Sequence, residues 1–304
     1  MKYTMLKLRP RQLLLLSLVG AFATMALKSL AWQLTGSVGF LSDAVESLVN
    51  VAGAGFALAM VSIARRPADN SHPYGHSKAE YLSAAFEGGM IFLAALVILA
   101  TAIERLFNPQ PISTLGIGTL LTVLASLINL AIAMLLLKGG KQYNSPALEG
   151  DGKHLLTDVW TTAGVVIGVG LAVLTGHNWL DAAVAIAVAL HILHEGGGIL
   201  YRAVNGLMDK ALPDSRISEI AQALDHFASG KVQFINLRTR SAATLQFAQV
   251  DMQVPGHWTV EQAHQLADDA ELAMQQLGVE LSVHIEPQHA HGAPTNPVTE
   301  YKGT

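Results

Sequence analysis

Apolar residues run through the first two-thirds of this chain in blocks too long for the elements of a soluble core. Six blocks, at about residues 12–34, 38–64, 79–106, 114–138, 148–175 and 178–203, are each long enough to carry a helix across a hydrocarbon layer. They predict six membrane-spanning helices. After Asp209 the pattern shortens. Leu212-Pro213-Asp214 offers a stop and then a helix N-cap. Ile217, Ile220, Leu224 and Phe227 follow at helical spacing, and Gly230 ends that helix. Lys231–Arg240 and Thr244–Val254 read as strands joined by a tight turn near Ser241. Thr259 and Gln262 make a capping box before a helix whose apolar face is Val260, Ala263, Leu266, Ala270, Ala273 and Leu277. Glu280–Pro287 reads as a last strand. The order αββαβ predicts a small α+β sandwich. The fold class is thus a six-helix transmembrane domain, residues 1–209, followed by an α+β domain, residues 210–288. A Gly/Pro-rich tail, 289–304, is expected to be flexible.

Charge orients the spans. The N-terminus and the segments Arg65 to Lys78 and Lys138 to Lys153 are basic, whereas Thr35 to Val38, Asn108 to Thr114 and Thr175 to Asn178 hold no Lys or Arg. By the positive-inside rule both termini are cytoplasmic. The start, with Lys2, Lys7, Arg9 and Arg11 before four leucines and Ala21-Phe22-Ala23 beyond, resembles a signal peptide. The apolar run continues to about Thr35, so an uncleaved first span is expected. Lys28 within it must snorkel or face other helices. Glu104 and Arg105, at the outer edge of the third span, are expected to pair or snorkel. Gly164 and Gly168 form a small-xxx-small face for close helix approach.

Composition supports a membrane protein: 51% of residues are hydrophobic, 14% charged, and mean hydropathy is +0.38. A net charge of -4 gives no footprint for a nucleic-acid partner. The absence of cysteine excludes disulfides and thiolate metal sites.

Against this background the polar residues inside the spans stand out. His154 and Asp158 sit at i, i+4 on one face of the fifth span. An Asp at the bilayer centre costs roughly 2.5–3.5 kcal/mol on insertion scales. The cost is tolerated where the group has a partner, a water cavity or a cation. In the second span Glu46 and Asn50 are again i, i+4, and Asp43 lies about one turn nearer the N-terminus on nearly the same face. Either pair alone is as well explained by interhelical hydrogen bonding. Together the two pairs can close four ligands around one cation, and His with carboxylate suits Zn²⁺, Mn²⁺, Fe²⁺ or Co²⁺.

With these pairs the chain, from about residue 10 to 287, resembles the cation diffusion facilitator family of divalent-metal exporters. The resemblance implies six transmembrane helices, a cytoplasmic metallochaperone-like αββαβ domain and a homodimer. It implies a transport site built from Glu46, Asn50, His154 and Asp158. Glu46 and Asn50 stand where relatives carry Asp or His followed by Asp, so an amide replaces one anionic ligand. The loop Pro67-Ala68-Asp69-Asn70-Ser71-His72-Pro73-Tyr74-Gly75-His76 is the most specific match. It implies a second metal held by Asp69, His72 and His76; a plain polar turn is the alternative. Lys78 and Asp209 match an ion pair that interlocks the dimer in relatives. In the soluble domain Asp251, His264, His284 and Glu286 match ligand positions of a binuclear site, and another such position is Ile235, which cannot bind metal.

The function implied is efflux of a divalent cation, Zn²⁺ first, by proton antiport. Mn²⁺, Fe²⁺ or Co²⁺ are the alternatives. The chain has no Walker A pattern to supply ATP-driven transport, and the features fit a bacterial inner membrane. Two other function classes compete with this one. An intramembrane metallohydrolase needs a pattern such as His-Glu-x-x-His, which is absent. A metal sensor without transport needs no second intramembrane pair. His191, His194 and Glu195 share a face of the sixth span and either line an inward cavity or face headgroups. His289 and His291 in the tail offer at most loose capture of metal.

Overall fold

The computed structural model describes residues 8–35, 38–107, 116–177 and 179–288. The expectations for His289, His291 and the 289–304 tail lie outside the described residues. The chain divides into two compact units, one through Val204 and one from Asn205.

The first unit holds α1 (Pro10–Thr35), α2 (Val38–Ala64), α3 (Ala79–Phe107), α4 (Ile117–Tyr143), α5 (Pro146–Thr175) and α6, which starts at Trp179 and ends at Leu207. All six are long and apolar enough to cross a membrane. Their exposed residues include Val19, Leu93, Val97, Leu120 and Leu174. Lys28, Asn50, Glu87, Asn129, Asp151 and Asp158 are each at most 5% exposed. Apolar side chains outside and polar ones inside is the arrangement a hydrocarbon solvent selects, because it offers no partner to a polar group.

Local chemistry sets where α5 begins and ends. Pro146 occupies its first turn, Ser145 Oγ accepts from the Leu148 N–H at 3.4 Å, and Gly176 closes it with φ 72°. The same Ser145 hydroxyl donates to Glu80 Oε2 at the start of α3. In the bundle α1 packs on α2 and α4, while α5 packs on α3 and α4 and touches α2. That last contact brings the two polar pairs together.

The Gly164–Gly168 face serves a different neighbour. A Cβ at Gly164 would lie 2.9 Å from Val188 Cγ2, and one at Gly168 would lie 3.1 Å from Asp181 Cα, so this face receives α6. Arg105 reaches Asp181 of α6, Nη1 to Oδ2 at 3.8 Å, and so pairs across helices. Helix α3 also meets α6 closely: a Cβ at Gly88 would come within 2.9 Å of the Leu200 nitrogen. Backbone cannot yield as a flexible side chain does. Gly88→Val is therefore expected to cost about 1–3 kcal/mol by overpacking, measured as lower thermal stability in detergent.

The second unit contains α7 (Asp214–Asp225), β1 (Gln233–Ala242), β2 (Leu245–Val254), α8 (Val260–Gln276) and β3 (Glu280–Pro287). The sheet order is β1-β2-β3, with β1 antiparallel and β3 parallel to β2. One core joins α7, α8 and the sheet through residues such as Ile220, Leu224, Val250, Met252, Ala270 and Met274. The capping box at Thr259 is present in both directions. Three local expectations shift. The hairpin turns at Ala243-Thr244, with Ala243 at φ 54°, two residues beyond Ser241. Asp214 is the first residue of α7 rather than its cap, where its charge still suits the helix N-terminus. Val260 is 84% exposed, because the buried stripe is centred on Ala263, Ala267, Ala270 and Met274.

Candidate functional site

Three helices contribute a connected polar cluster within the membrane unit. Asn50 on α2 donates from Nδ2 to Asp158 Oδ2 at 2.5 Å. Its Oδ1 lies 2.8 Å from His154 Nε2. One amide therefore bridges the imidazole and the carboxylate of α5, using both of its ends. Asn129 of α4 donates to the same Asp158 oxygen at 3.1 Å. Lys153, Asp158 and their neighbours stay helical, with Thr161 and Thr162 returning hydroxyls to the Asp158 carbonyl at 2.9 Å. Of the four residues expected in the transport site, the structure thus joins Asn50, His154 and Asp158. Glu46, one turn from Asn50, has an exposed side chain. It lies within electrostatic reach of Asp158, His154 and Lys28. Asp43 is half-buried and feels Lys28 and Glu46. Lys28 does not snorkel: it is 5% exposed and faces this acidic group.

Sequence reasoning did not assign three neighbours of the cluster. Glu87 of α3 is 1% exposed, and its Oε2 lies 3.2 Å from His154 Nδ1. Asn129 is described above. Asp151, one turn before His154, is 2% exposed. The signal that could have found Glu87 is plain: an ionisable residue within an apolar span is a site candidate by itself. Asn129 gives a weaker signal, since an amide costs less in a span than a charge.

The loop of residues 65–78 folds around Asp69. Its Oδ1 accepts from the Ser71 N–H at 2.9 Å, the Ser71 hydroxyl at 3.1 Å and the His72 N–H at 2.7 Å. Gly75, at φ 79°, turns the chain so that His76 comes back over the loop, 4.3 Å from the His72 ring. Asp69 Oδ1 is 3.3 Å from His72 Nδ1, and Oδ2 is 3.5 Å from His76 Nε2. One ligand atom from each of the three lies within 4.8 Å of the others, the only such His/Asp/Glu group among the described residues. The backbone N–H of His72, with the Ser71 bonds, holds the Asp69 carboxyl below its ordinary range. A lowered value keeps Asp69 anionic as pH falls through the usual carboxylate range, so its charge stays available to a cation there. Asp69→Asn, which removes that charge, is expected to weaken binding of a divalent metal at this loop at every pH. Isothermal titration at several pH values checks this.

The soluble unit separates its candidates. Asp251 of β2 and His284 of β3 are register partners, and Glu286 lies two residues on along β3. Asp251 Oδ2 accepts from Asn236 Nδ2 at 2.9 Å, and His284 Nε2 is 3.7 Å from Glu286 Oε1. His264 is on the exposed side of α8, with Asp268 at 3.7 Å. Within one chain it does not join the other three in a three-ligand group. Ile235, opposite Asp251, is 4% exposed. Asp209 lies 3.4 Å from Arg240, and Lys78 is half-buried before α3. At the sixth span Glu195 accepts from Lys153 at 2.7 Å, His191 stands edge-on to Trp160 at 5.4 Å, and His194 is exposed.

Residues 14–208 match the cation efflux transmembrane domain, and residues 212–288 match the cation efflux protein cytoplasmic domain. The chain belongs to the cation diffusion facilitator family. A cation diffusion facilitator is a multi-pass membrane transporter of cations and not an enzyme. The Synechocystis transporter sll1263 is 43% identical over 274 residues, covering 90% of this chain and 88% of its own. The cation-efflux pump FieF of Klebsiella pneumoniae is 30% identical over 269 residues, 88% of this chain and 89% of its own. FieF of Salmonella newport is 32% identical over the same shares. A solved structure of CzrB is 31% identical, covers 26% of this chain and 99% of its own, and has a TM-score of 0.25.

Proposed function

We propose that this cation diffusion facilitator exports a divalent metal, Zn²⁺ first, from the cytoplasm in exchange for protons. The observation that carries the reading is the Asn50–His154–Asp158 cluster, a connected N/O donor set buried between membrane helices. Glu46 completes it by turning its carboxylate inward when a cation arrives, since it already lies in the field of Asp158 and His154. Asp43 is a further carboxylate along the same path. A divalent cation offsets the cost of keeping carboxylates inside the membrane, and protons offset the same cost in its absence. Exchange of one for the other follows from that competition. An imidazole, whose ordinary pKa is about 6.5, suits a site that must trade metal for protons near neutral pH.

In this reading both termini and the soluble unit are cytoplasmic, in a bacterial inner membrane. Two copies associate through the soluble unit and through Lys78 and Asp209. Asp69, His72 and His76 hold a second ion that stiffens the loop between α2 and α3. His284, Glu286, Asp251 and His264 gather metal only where two copies meet, because one chain does not bring them together. Selectivity is tested by uptake of Zn²⁺, Co²⁺, Mn²⁺ and Fe²⁺ into proteoliposomes. Zn²⁺ and Co²⁺ ahead of Mn²⁺ supports the imidazole as a working ligand. Mn²⁺ ahead of Zn²⁺ assigns selectivity to the oxygen donors Glu46, Asn50 and Asp158. Binding of every ion with transport of none would show a sensor.

A further inference from the structure

Glu87 has no place in the transport site just described, yet the helices are built around it. Its side chain, about two turns into α3, is 1% exposed, and neither carboxylate oxygen makes a hydrogen bond. Two glycines make its slot. A Cβ at Gly53 of α2 would lie 2.8 Å from Glu87 Oε1, and one at Gly150 of α5 would lie 3.4 Å from Glu87 Cβ. The slot aims the carboxylate at the far nitrogen of His154, with Oε2 3.2 Å from Nδ1.

Hydrogen bonding within the cluster sets how His154 presents its two ring nitrogens. Asn50 Nδ2 donates to Asp158, which turns Asn50 Oδ1 toward His154 Nε2. An amide oxygen only accepts, so this network places the ring proton of a neutral His154 on Nε2. Nδ1 faces Glu87 Oε2 at 3.2 Å with no hydrogen bond formed. A cation on Nε2 needs the opposite tautomer, with the proton on Nδ1. Glu87 is then the acceptor waiting for it. Histidine ligands regularly donate their second N–H to a carboxylate in this way, which fixes the ring and raises its basicity.

We propose that Glu87 is the positioning residue of the transport site: it accepts the Nδ1–H of His154 when Nε2 takes the metal, and it favours the nitrogen-preferring ions. The proposal rests on the reading of Asn50, His154 and Asp158 as the transport site. It gives α3 a part in metal selection and explains the glycines at 53 and 150 as room for a carboxylate.

The test is Zn²⁺ and Mn²⁺ uptake by the full-length protein in proteoliposomes. Glu87→Gln keeps the shape and is expected to raise the KM for Zn²⁺ by about 10–100-fold, the usual effect of losing such a partner. The KM for Mn²⁺ should change less, so the Zn²⁺/Mn²⁺ preference falls. Gly53→Ala, which displaces the carboxylate without removing its charge, should lower the same ratio. In a His154→Gln background Glu87→Gln should add nothing, because its effect passes through the imidazole. Additive losses in the double variant, or a wild-type Zn²⁺ KM in Glu87→Gln, would overturn the proposal. Unchanged transport in His154→Gln and Asp158→Asn would instead overturn the transport-site reading on which it stands.

Discussion

Replacing Asp158 with Asn should reduce metal transport by more than about 100-fold, beyond the usual cost of losing a supporting partner alone. The protein should still purify as the same folded assembly. Asp158 is the convergence point of the membrane cluster: Asn50 and Asn129 both donate to one of its oxygens. In the proposed transport site its carboxylate would supply charge to a cation that has lost its water, which an amide cannot do. Asn keeps the volume and one carbonyl acceptor, so the helices should stay packed. The expected signature is a small change in thermal stability beside a near-total loss of uptake. Transport at a wild-type rate would remove Asp158 from the site.

The second large effect concerns Asn50. It is a clamp, donating to Asp158 and accepting from His154. Asn50→Asp removes the donor and sets two carboxylates against each other across a contact that is 2.5 Å in the native protein. The metal-free protein should lose about 1–3 kcal/mol, the cost of a lost buried hydrogen bond left unsatisfied. Zn²⁺ should restore more than that loss, because a second anion now faces the cation. Thermal melts with and without Zn²⁺ should therefore diverge further in Asn50→Asp than in the native chain. A variant that melts with native values in both conditions would show that Asn50 does not face the ion.

Much of this was legible in the sequence because the relevant signals are local. Span length alone separates six membrane helices from the short-period soluble unit, and the capping box at Thr259 and the strand Glu280–Pro287 are written in consecutive residues. The i, i+4 pairs name Asn50, His154 and Asp158 because helix geometry fixes which residues share a face. What the sequence does not carry is which faces meet. Gly164 and Gly168 announce a close helix approach, but only packing reveals that α6 fills it. Glu87 and Asn129 have only hydroxyl residues one turn away, Ser83 and Ser126, so no pair of strong metal donors marks them. Glu46 shares the pattern of its neighbours, yet its side chain stays exposed while Asn50 goes in. His264 shows the same limit in the soluble unit: its spacing matches a ligand position, while the α8 surface it occupies is not the strand face of His284 and Glu286.

The central claim, exchange of metal for protons at the Asn50–His154–Asp158 cluster, is tested most directly by following both ions at once. Proteoliposomes carrying a luminal pH dye would receive external Zn²⁺, with native protein and Asp158→Asn compared side by side. Native protein should take up Zn²⁺ while the lumen becomes alkaline, and an outward-directed proton gradient should speed uptake. Asp158→Asn should show neither change. Zn²⁺ entry with no movement of luminal pH, or equal proton-coupled uptake by both proteins, would contradict the account.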